Sequence, residues 1–297
     1  MATTFQFSGV NIAIATPFFA DGRIDLDRLD QNIERYISVG VDGFVLSSGT
    51  GMHVYLTPKE SHQVIVRGTK AINGRAKVIA QTSALMVEDV VERTKRAADA
   101  GADGVMVLPP FFEGPSDSQS IVDFYAEIAR VGVPVIGYNV PSIGMEITPS
   151  LFRQLAEIPG FVSVKDSCGD LRRQTALIET GLPVMNGSDL LIPYSLYAGC
   201  SALILGGANY SPKTCVGVAA AARSGRWDEA RKLWAPLAPI MRLLCSGNYV
   251  QSVYAAAELI GYSAGTPRKP LRSLPADRLA MIRDSLNDLV AAEARNA

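Results

Sequence analysis

The chain has 297 residues, 48% hydrophobic and 19% charged, with a formal net charge of −1. That length buries a large core, as one big α/β barrel or as two smaller domains. A near-neutral balance without a long run of either sign argues against nucleic acid and anionic membrane surfaces as partners, and no stretch reaches the roughly 18 apolar residues that cross a bilayer.

In chain order, apolar β-branched runs alternate with amphipathic stretches. Strands are predicted over residues 9–15, 43–47, 77–81, 104–108, 134–138, 161–165, 183–186 and 201–205, with helical patterns such as 25–39, 58–72, 87–100 and 118–131 between them. Continuous rather than alternating apolar strands are buried on both faces, as parallel strands covered by helices must be. Eight such units predict a (β/α)8 TIM barrel. A weak repeat agrees: Val39-Gly40-Val41-Asp42-Gly43-Phe44, Ala100-Gly101-Ala102-Asp103-Gly104-Val105 and Ala198-Gly199-Cys200-Ser201-Ala202-Leu203 each end a helix at glycine and open a buried strand. Beyond strand eight the pattern is helical near 217–222, 226–244, 251–260 and 275–294. The expected organisation is a catalytic barrel over 1–225 and a C-terminal helical extension over 226–297, too apolar for a solvated tail.

The opening Met1-Ala2-Thr3-Thr4-Phe5 has no basic segment followed by an apolar core, so a cytoplasmic protein is expected. Cys168, Cys200, Cys215 and Cys245 lack paired spacing and read as reduced thiols. With His53 and His62 as the two histidines, a histidine-rich metal site is not expected, and neither is a cofactor.

Catalytic groups in such barrels sit at the carboxyl ends of strands and in the following loops. Lys165 occupies that place, ending Phe161-Val162-Ser163-Val164 and preceding Asp166-Ser167-Cys168-Gly169-Asp170. In an apolar pocket burial disfavours the ammonium form, leaving free amine to attack a ketone and form a Schiff base. The competing reading is a strand-capping lysine that reaches solvent, the ordinary state of lysines. The other strand ends supply Ser47-Ser48-Gly49-Thr50-Gly51, Pro109-Pro110-Phe111-Phe112, Tyr138-Asn139-Val140-Pro141, Asn186-Gly187-Ser188-Asp189 and Gly206-Gly207-Ala208-Asn209. Gly49 and Gly51 alone fit an ordinary tight turn equally well, and Tyr138 alone fits a core tyrosine with a satisfied hydroxyl.

Taken together with Ala15-Thr16-Pro17-Phe18, Asp21-Gly22 and Leu56-Thr57-Pro58-Lys59-Glu60, and with Val164-Lys165-Asp166-Ser167, these elements resemble the dihydrodipicolinate synthase and N-acetylneuraminate lyase family over about residues 8–290. The resemblance implies a barrel with a helical C-terminal region, metal-free class I aldolase chemistry and a homotetramer, or a dimer. Lys165 resembles the lysine that condenses with pyruvate or another 2-oxo acid, and Tyr138 the tyrosine that relays protons. Ser48, Gly49 and Thr50 fall in the carboxylate cradle, where small residues let backbone N–H groups approach an anion and a threonine adds a donor; Thr50 is counted with the catalytic residues. Gly187 and Ile204 match positions that line the pyruvyl pocket.

The distal pocket departs from the best-known members. Two hydroxyl positions of the synthase relay fall on Gly49 and Phe112, and the synthase arginine for the second substrate aligns with Ile143, which disfavours 4-hydroxy-tetrahydrodipicolinate synthase activity. Of the acidic pair that binds polyols in the sialic acid lyases, Asp189 remains and Leu190 replaces its neighbour. Phe112, Ile143, Met52, Leu190 and Leu205 are expected to line an apolar distal pocket that rejects charged tails. His53, beside the Met52 that replaces a family glutamate, is weighed as a proton-transfer group against a surface or interface histidine. The readings kept open are a Schiff-base lyase, a dehydratase or deaminase of a 2-keto-3-deoxy sugar acid or hydroxylated cyclic imino acid using the same lysine, a non-catalytic binding relative, and a phosphate cradle at Gly206-Gly207.

Overall fold

The computed structural model describes residues 7–115 and 117–295; the opening pentapeptide read above for a leader lies outside the described residues. Eight parallel strands close a barrel in chain order, with β1 paired to both β2 and β8. The strands are β1 (Gly9–Ala13), β2 (Gly43–Leu46), β3 (Lys77–Gln81), β4 (Gly104–Val107), β5 (Val135–Asn139), β6 (Phe161–Asp166), β7 (Val184–Asn186) and β8 (Ala202–Leu205). Between and after them run α1 (Leu26–Val39), α2 (Pro58–Ile72), α3 (Val87–Asp99), α4 (Ser118–Ala129), α5 (Pro149–Ala156), α6 (Leu171–Ile178), α7 (Ile192–Ala198) and α8 (Pro212–Arg223). Three more helices follow, α9 (Trp227–Cys245), α10 (Tyr249–Leu259) and α11 (Ala276–Arg295). The TIM barrel with a helical extension is therefore the architecture of this chain, and no helix among the described residues is long and apolar enough to cross a membrane.

Local chemistry explains where the elements begin and end. Asp25 caps α1 by accepting from the Arg28 amide, and Thr57 and Glu60 form a reciprocal capping box on α2, with Pro58 at its first turn. The repeat glycines behave as helix terminators: Gly40, Gly101 and Gly199 all lie at positive φ, at 89°, 86° and 103°.

Alternation along the strands divides the core in two. Ala13, Val45, Ile79, Met106, Ile136, Met185, Ala202 and Ile204 fill the barrel interior together with Phe7, and Tyr138 packs on them. The intervening residues, Ile12, Phe44, Leu46, Val105, Val107, Val164, Leu203 and Leu205, pack outward under the helices. Asn209 closes the β1–β8 seam, donating to the Ala13 and Gly206 carbonyls and accepting from the Ala15 amide. The C-terminal helices are seated on this frame, since the Tyr254 hydroxyl on α10 donates 2.7 Å to the Thr16 carbonyl.

Candidate active site

Parity carries Lys165 inward. Tyr138 and Lys165 are register partners on β5 and β6, and Tyr138 packs against the interior cluster. The Lys165 side chain is 5% exposed, and its Nζ stands 4.1 Å from the centroid of the Tyr138 ring. The amine thus lies inside the barrel on the face of a phenol, not in bulk solvent. Gly187 makes room for it: a Cβ there would meet Lys165 Cε at 2.6 Å and Ser167 Oγ at 2.0 Å. Ile204 sits below in the interior cluster.

The outward neighbours of this pair hold the three strand ends together. Asn139 Nδ2 donates 2.7 Å to Asp166 Oδ1 and Asn139 Oδ1 accepts from the Ile147 amide, while Gln174 Nε2 donates to Asp166 and to Asn186. Burial raises the Asp166 pKa, and donors from Cys168, Asn139 and Gln174 oppose that rise. The Cys168 thiol, which donates 2.9 Å to Asp166, is itself pushed up to about 12 by burial and this carboxylate, so it stays protonated. Such a network fixes the backbone that aims Lys165 and Tyr138.

The loop after β2 turns through two left-handed residues, Ser47 at φ 55° and Met52 at φ 63°. Thr50 is buried within it, and Gly49 is exposed with nothing within 4 Å of where a Cβ would stand, so its backbone faces open space. The Ser48 hydroxyl donates to the Ile14 carbonyl and accepts from the Gly51 amide, which shapes the turn. His53 is neither a surface group nor a free proton shuttle. Its Nε2 lies 2.7 Å from the Ser83 carbonyl and therefore donates, which leaves Nδ1 to accept from Ser47, itself bonded to Ser61. Burial is the first cause that lowers its pKa, and the ring is a neutral pin between β2 and β3.

The expected apolar lining does not assemble. Met52 and Leu205 are buried in the outer core and Leu190 packs against it, because Leu205 has the parity opposite to Ile204. Phe112 and Ile143, 78% and 50% exposed, project from the rim.

Above β7 and β8 the structure joins Asp189, an expected substrate-binding residue, to Tyr249, which the sequence pattern does not single out. Asp189, 4% exposed, accepts from the Gly207 amide through Oδ1 at 3.1 Å and from the Tyr249 hydroxyl through Oδ2 at 2.5 Å. Tyr249 arrives from α10, 60 residues further along the chain, and no local pattern announces such a contact. Burial raises the Asp189 pKa, while Tyr249, the Gly206 and Gly207 amides and the Lys165 charge oppose it. Since Asp189 already occupies the Gly207 N–H, the Gly206-Gly207 turn is not an open phosphate cradle.

A buried amine against a phenol, with hydroxyl and amide groups at a barrel mouth, is suited to carbonyl condensation. The model of the dihydrodipicolinate synthetase family matches residues 6–289 of the chain. A 4-hydroxy-tetrahydrodipicolinate synthase from Methanoculleus marisnigri is 33% identical over 288 residues, covering 95% of this chain and 99% of that protein. A dihydrodipicolinate synthase from Acinetobacter baumannii, whose structure is a complex with pyruvate, superposes with a TM-score of 0.90 at 30% identity over 95% of this chain and 99% of that one. The 4-hydroxy-tetrahydrodipicolinate synthase from Methylacidiphilum fumariolicum SolV gives a TM-score of 0.93 at 25% identity, with 98% of both chains covered. The chain therefore belongs to the dihydrodipicolinate synthetase family and is a lyase of the class I aldolase type.

Proposed function

We propose that the protein makes or breaks a carbon–carbon bond next to a pyruvyl unit, through a Schiff base between Lys165 and pyruvate or a pyruvate-derived 2-oxo acid. The observation that carries this reading is the Lys165 Nζ enclosed in the barrel at 4.1 Å from the Tyr138 ring centroid. The amine attacks C2, the carbinolamine loses water as the Tyr138 hydroxyl supplies a proton, and the iminium accepts electrons from C3. In the cleavage direction the C4 hydroxyl gives its proton to the Tyr138 phenolate as the C3–C4 bond breaks and an aldehyde leaves, and the enamine takes that proton at C3 before hydrolysis frees pyruvate and the amine. The exposed Gly49 backbone and Thr50 receive the substrate carboxylate, with Gly187 and Ile204 beside C2 and C3. Asp189 and the rim residue Ile143 stand toward the distal end.

Two readings compete. The names of the relatives favour 4-hydroxy-tetrahydrodipicolinate synthase activity, whereas Gly49, Phe112 and Ile143 supply no hydroxyl or guanidinium for it. A dehydratase or deaminase shares the lysine and differs in what leaves. Exchange of the pyruvate C3 protons with deuterated water tests the common step: wild type is expected to exchange them and Lys165→Ala not to. Pyruvate release from 4-hydroxy-2-oxo acids then marks the lyase; release of water or ammonia with the carbon chain intact marks the alternative.

Homotetramer formation is part of the proposal. The exposed apolar side chains Phe112, Val54, Leu85, Met86 and Tyr197 support it, each more than half accessible in the single chain. Light scattering on the eluting protein is expected to give four chains per particle; a monomer would contradict this.

A further inference from the structure

The Tyr249 phenol has no part in the chemistry above, yet it stands inside the mouth. Gly206 is the reason it fits: a Cβ there would lie 2.1 Å from the Tyr249 hydroxyl and 2.9 Å from Thr50 Oγ1, so the phenol occupies the space a side chain after β8 would fill and borders the proposed carboxylate cradle. On its other side it holds Asp189 at 2.5 Å. Asp189 follows Gly187 by two residues, and Gly187 is the position whose missing Cβ accommodates Lys165 Cε. Lys165, Asp189, Tyr249 and Thr50 are thus packed around three glycines at the ends of β7 and β8.

We propose that Tyr249 is a positioning residue for the Schiff-base chemistry, holding the Asp189 carboxylate where its negative charge stabilises the cationic amine and iminium of Lys165. The inference rests on the Lys165 reading and extends it to a group delivered by the C-terminal helices. The titratable groups that act on Asp189 or sense it are Lys165 from β6, Tyr210 from the turn after β8, Cys245 from α9 and Tyr249 from α10. Burial keeps the two phenols protonated. Of these four, Lys165 is the one side chain that can carry a positive charge, and it acts on Asp189. The Tyr249 hydroxyl, a neutral donor bonded to Oδ2, favours the carboxylate form and fixes its orientation.

The test measures the pH dependence of pyruvate trapping by borohydride in the full-length protein and in Tyr249→Phe, Asp189→Asn and the double variant, with thermal melts to verify folding. Negative charge beside an amine favours its protonated form, so Asp189→Asn is expected to move the trapping midpoint down by about one pH unit. Tyr249→Phe is expected to move it the same way by a smaller amount, because loss of the donor favours the neutral carboxyl. The double variant is expected to match Asp189→Asn, since the phenol acts through the carboxylate. Unmoved midpoints in either single variant overturn the inference, as does a double variant shifted beyond Asp189→Asn. A wild type that traps normally confines such a failure to Tyr249 and Asp189; a wild type that traps nothing removes the Lys165 reading and this inference together.

Discussion

At the scale of single residues, the reactivity proposed for Lys165 depends on what is missing beside it as much as on the lysine itself. The Cβ that Gly187 lacks would collide with Lys165 Cε at 2.6 Å, with Ser167 Oγ at 2.0 Å and with the Asp166 carbonyl at 3.1 Å. Backbone cannot retreat there because the Gly187 amide donates 2.7 Å to that carbonyl. Gly187→Ala should therefore displace the amine and lower C3 proton exchange about 100-fold, the scale set by an ångström of misplacement, with the far-UV circular dichroism spectrum unchanged. His53 makes the opposite prediction. Its ring bridges Ser47 and the Ser83 carbonyl, so His53→Ala should cost about 1–3 kcal/mol of stability through unpaired buried groups. The pH profile of exchange should keep its shape; a lost limb would restore the proton-transfer role.

At the scale of elements, sequence patterns located strands and helices well because burial and capping are local. The sequence pattern places α2 at residues 58–72, the bounds observed, since Thr57, Pro58 and Glu60 write its start. Strand ends were less legible: Ser47, read as the end of β2, turns to φ 55° and leaves the ladder. One residue of parity explains why Leu205 does not line the pocket, because Ile204 faces the interior and Leu205 the helices. Arg268 was invisible for another reason. Its guanidinium joins Glu60 on α2, the Gly22 and Tyr55 carbonyls and the Phe18 ring, contacts that span more than 200 residues. The Arg268 hydrogen bonds are the first cause that holds the Glu60 pKa at about 2, against an ordinary value of 4.5. Because the folded value is depressed, this stabilisation is present above 4.5 and is lost as the pH falls through it toward about 2. Arg268→Ala should lower the melting temperature near pH 6, with the gap from wild type narrowing near pH 3; a constant gap would show that the clamp's charge contributes nothing.

At the scale of the whole molecule, the helices beyond the barrel are built into the site rather than appended to it. Leu237, Ile240, Met241 and Leu244 of α9 are fully buried, and α10 contributes both Tyr249 and Tyr254 to the mouth and seam. The amphipathic pattern of these helices was legible, whereas their seat was not, because a long-range contact such as Tyr249 to Asp189 leaves no periodicity in either segment. Both tryptophans, Trp227 and Trp234, lie on α9. Their fluorescence follows the helical extension, while far-UV circular dichroism follows barrel and extension together. We expect the two signals to coincide across urea unfolding as one cooperative transition. An earlier fluorescence transition would show residues 226–297 to be an independent unit.

The central claim is covalent, and it can be weighed. Protein incubated with pyruvate, reduced with borohydride and digested should carry a single pyruvyl adduct on the peptide containing Lys165, and Lys165→Arg should carry none while keeping its fold. A wild-type protein that exchanges the C3 protons of pyruvate yet shows its adduct on another lysine, or no adduct at all, would contradict the account.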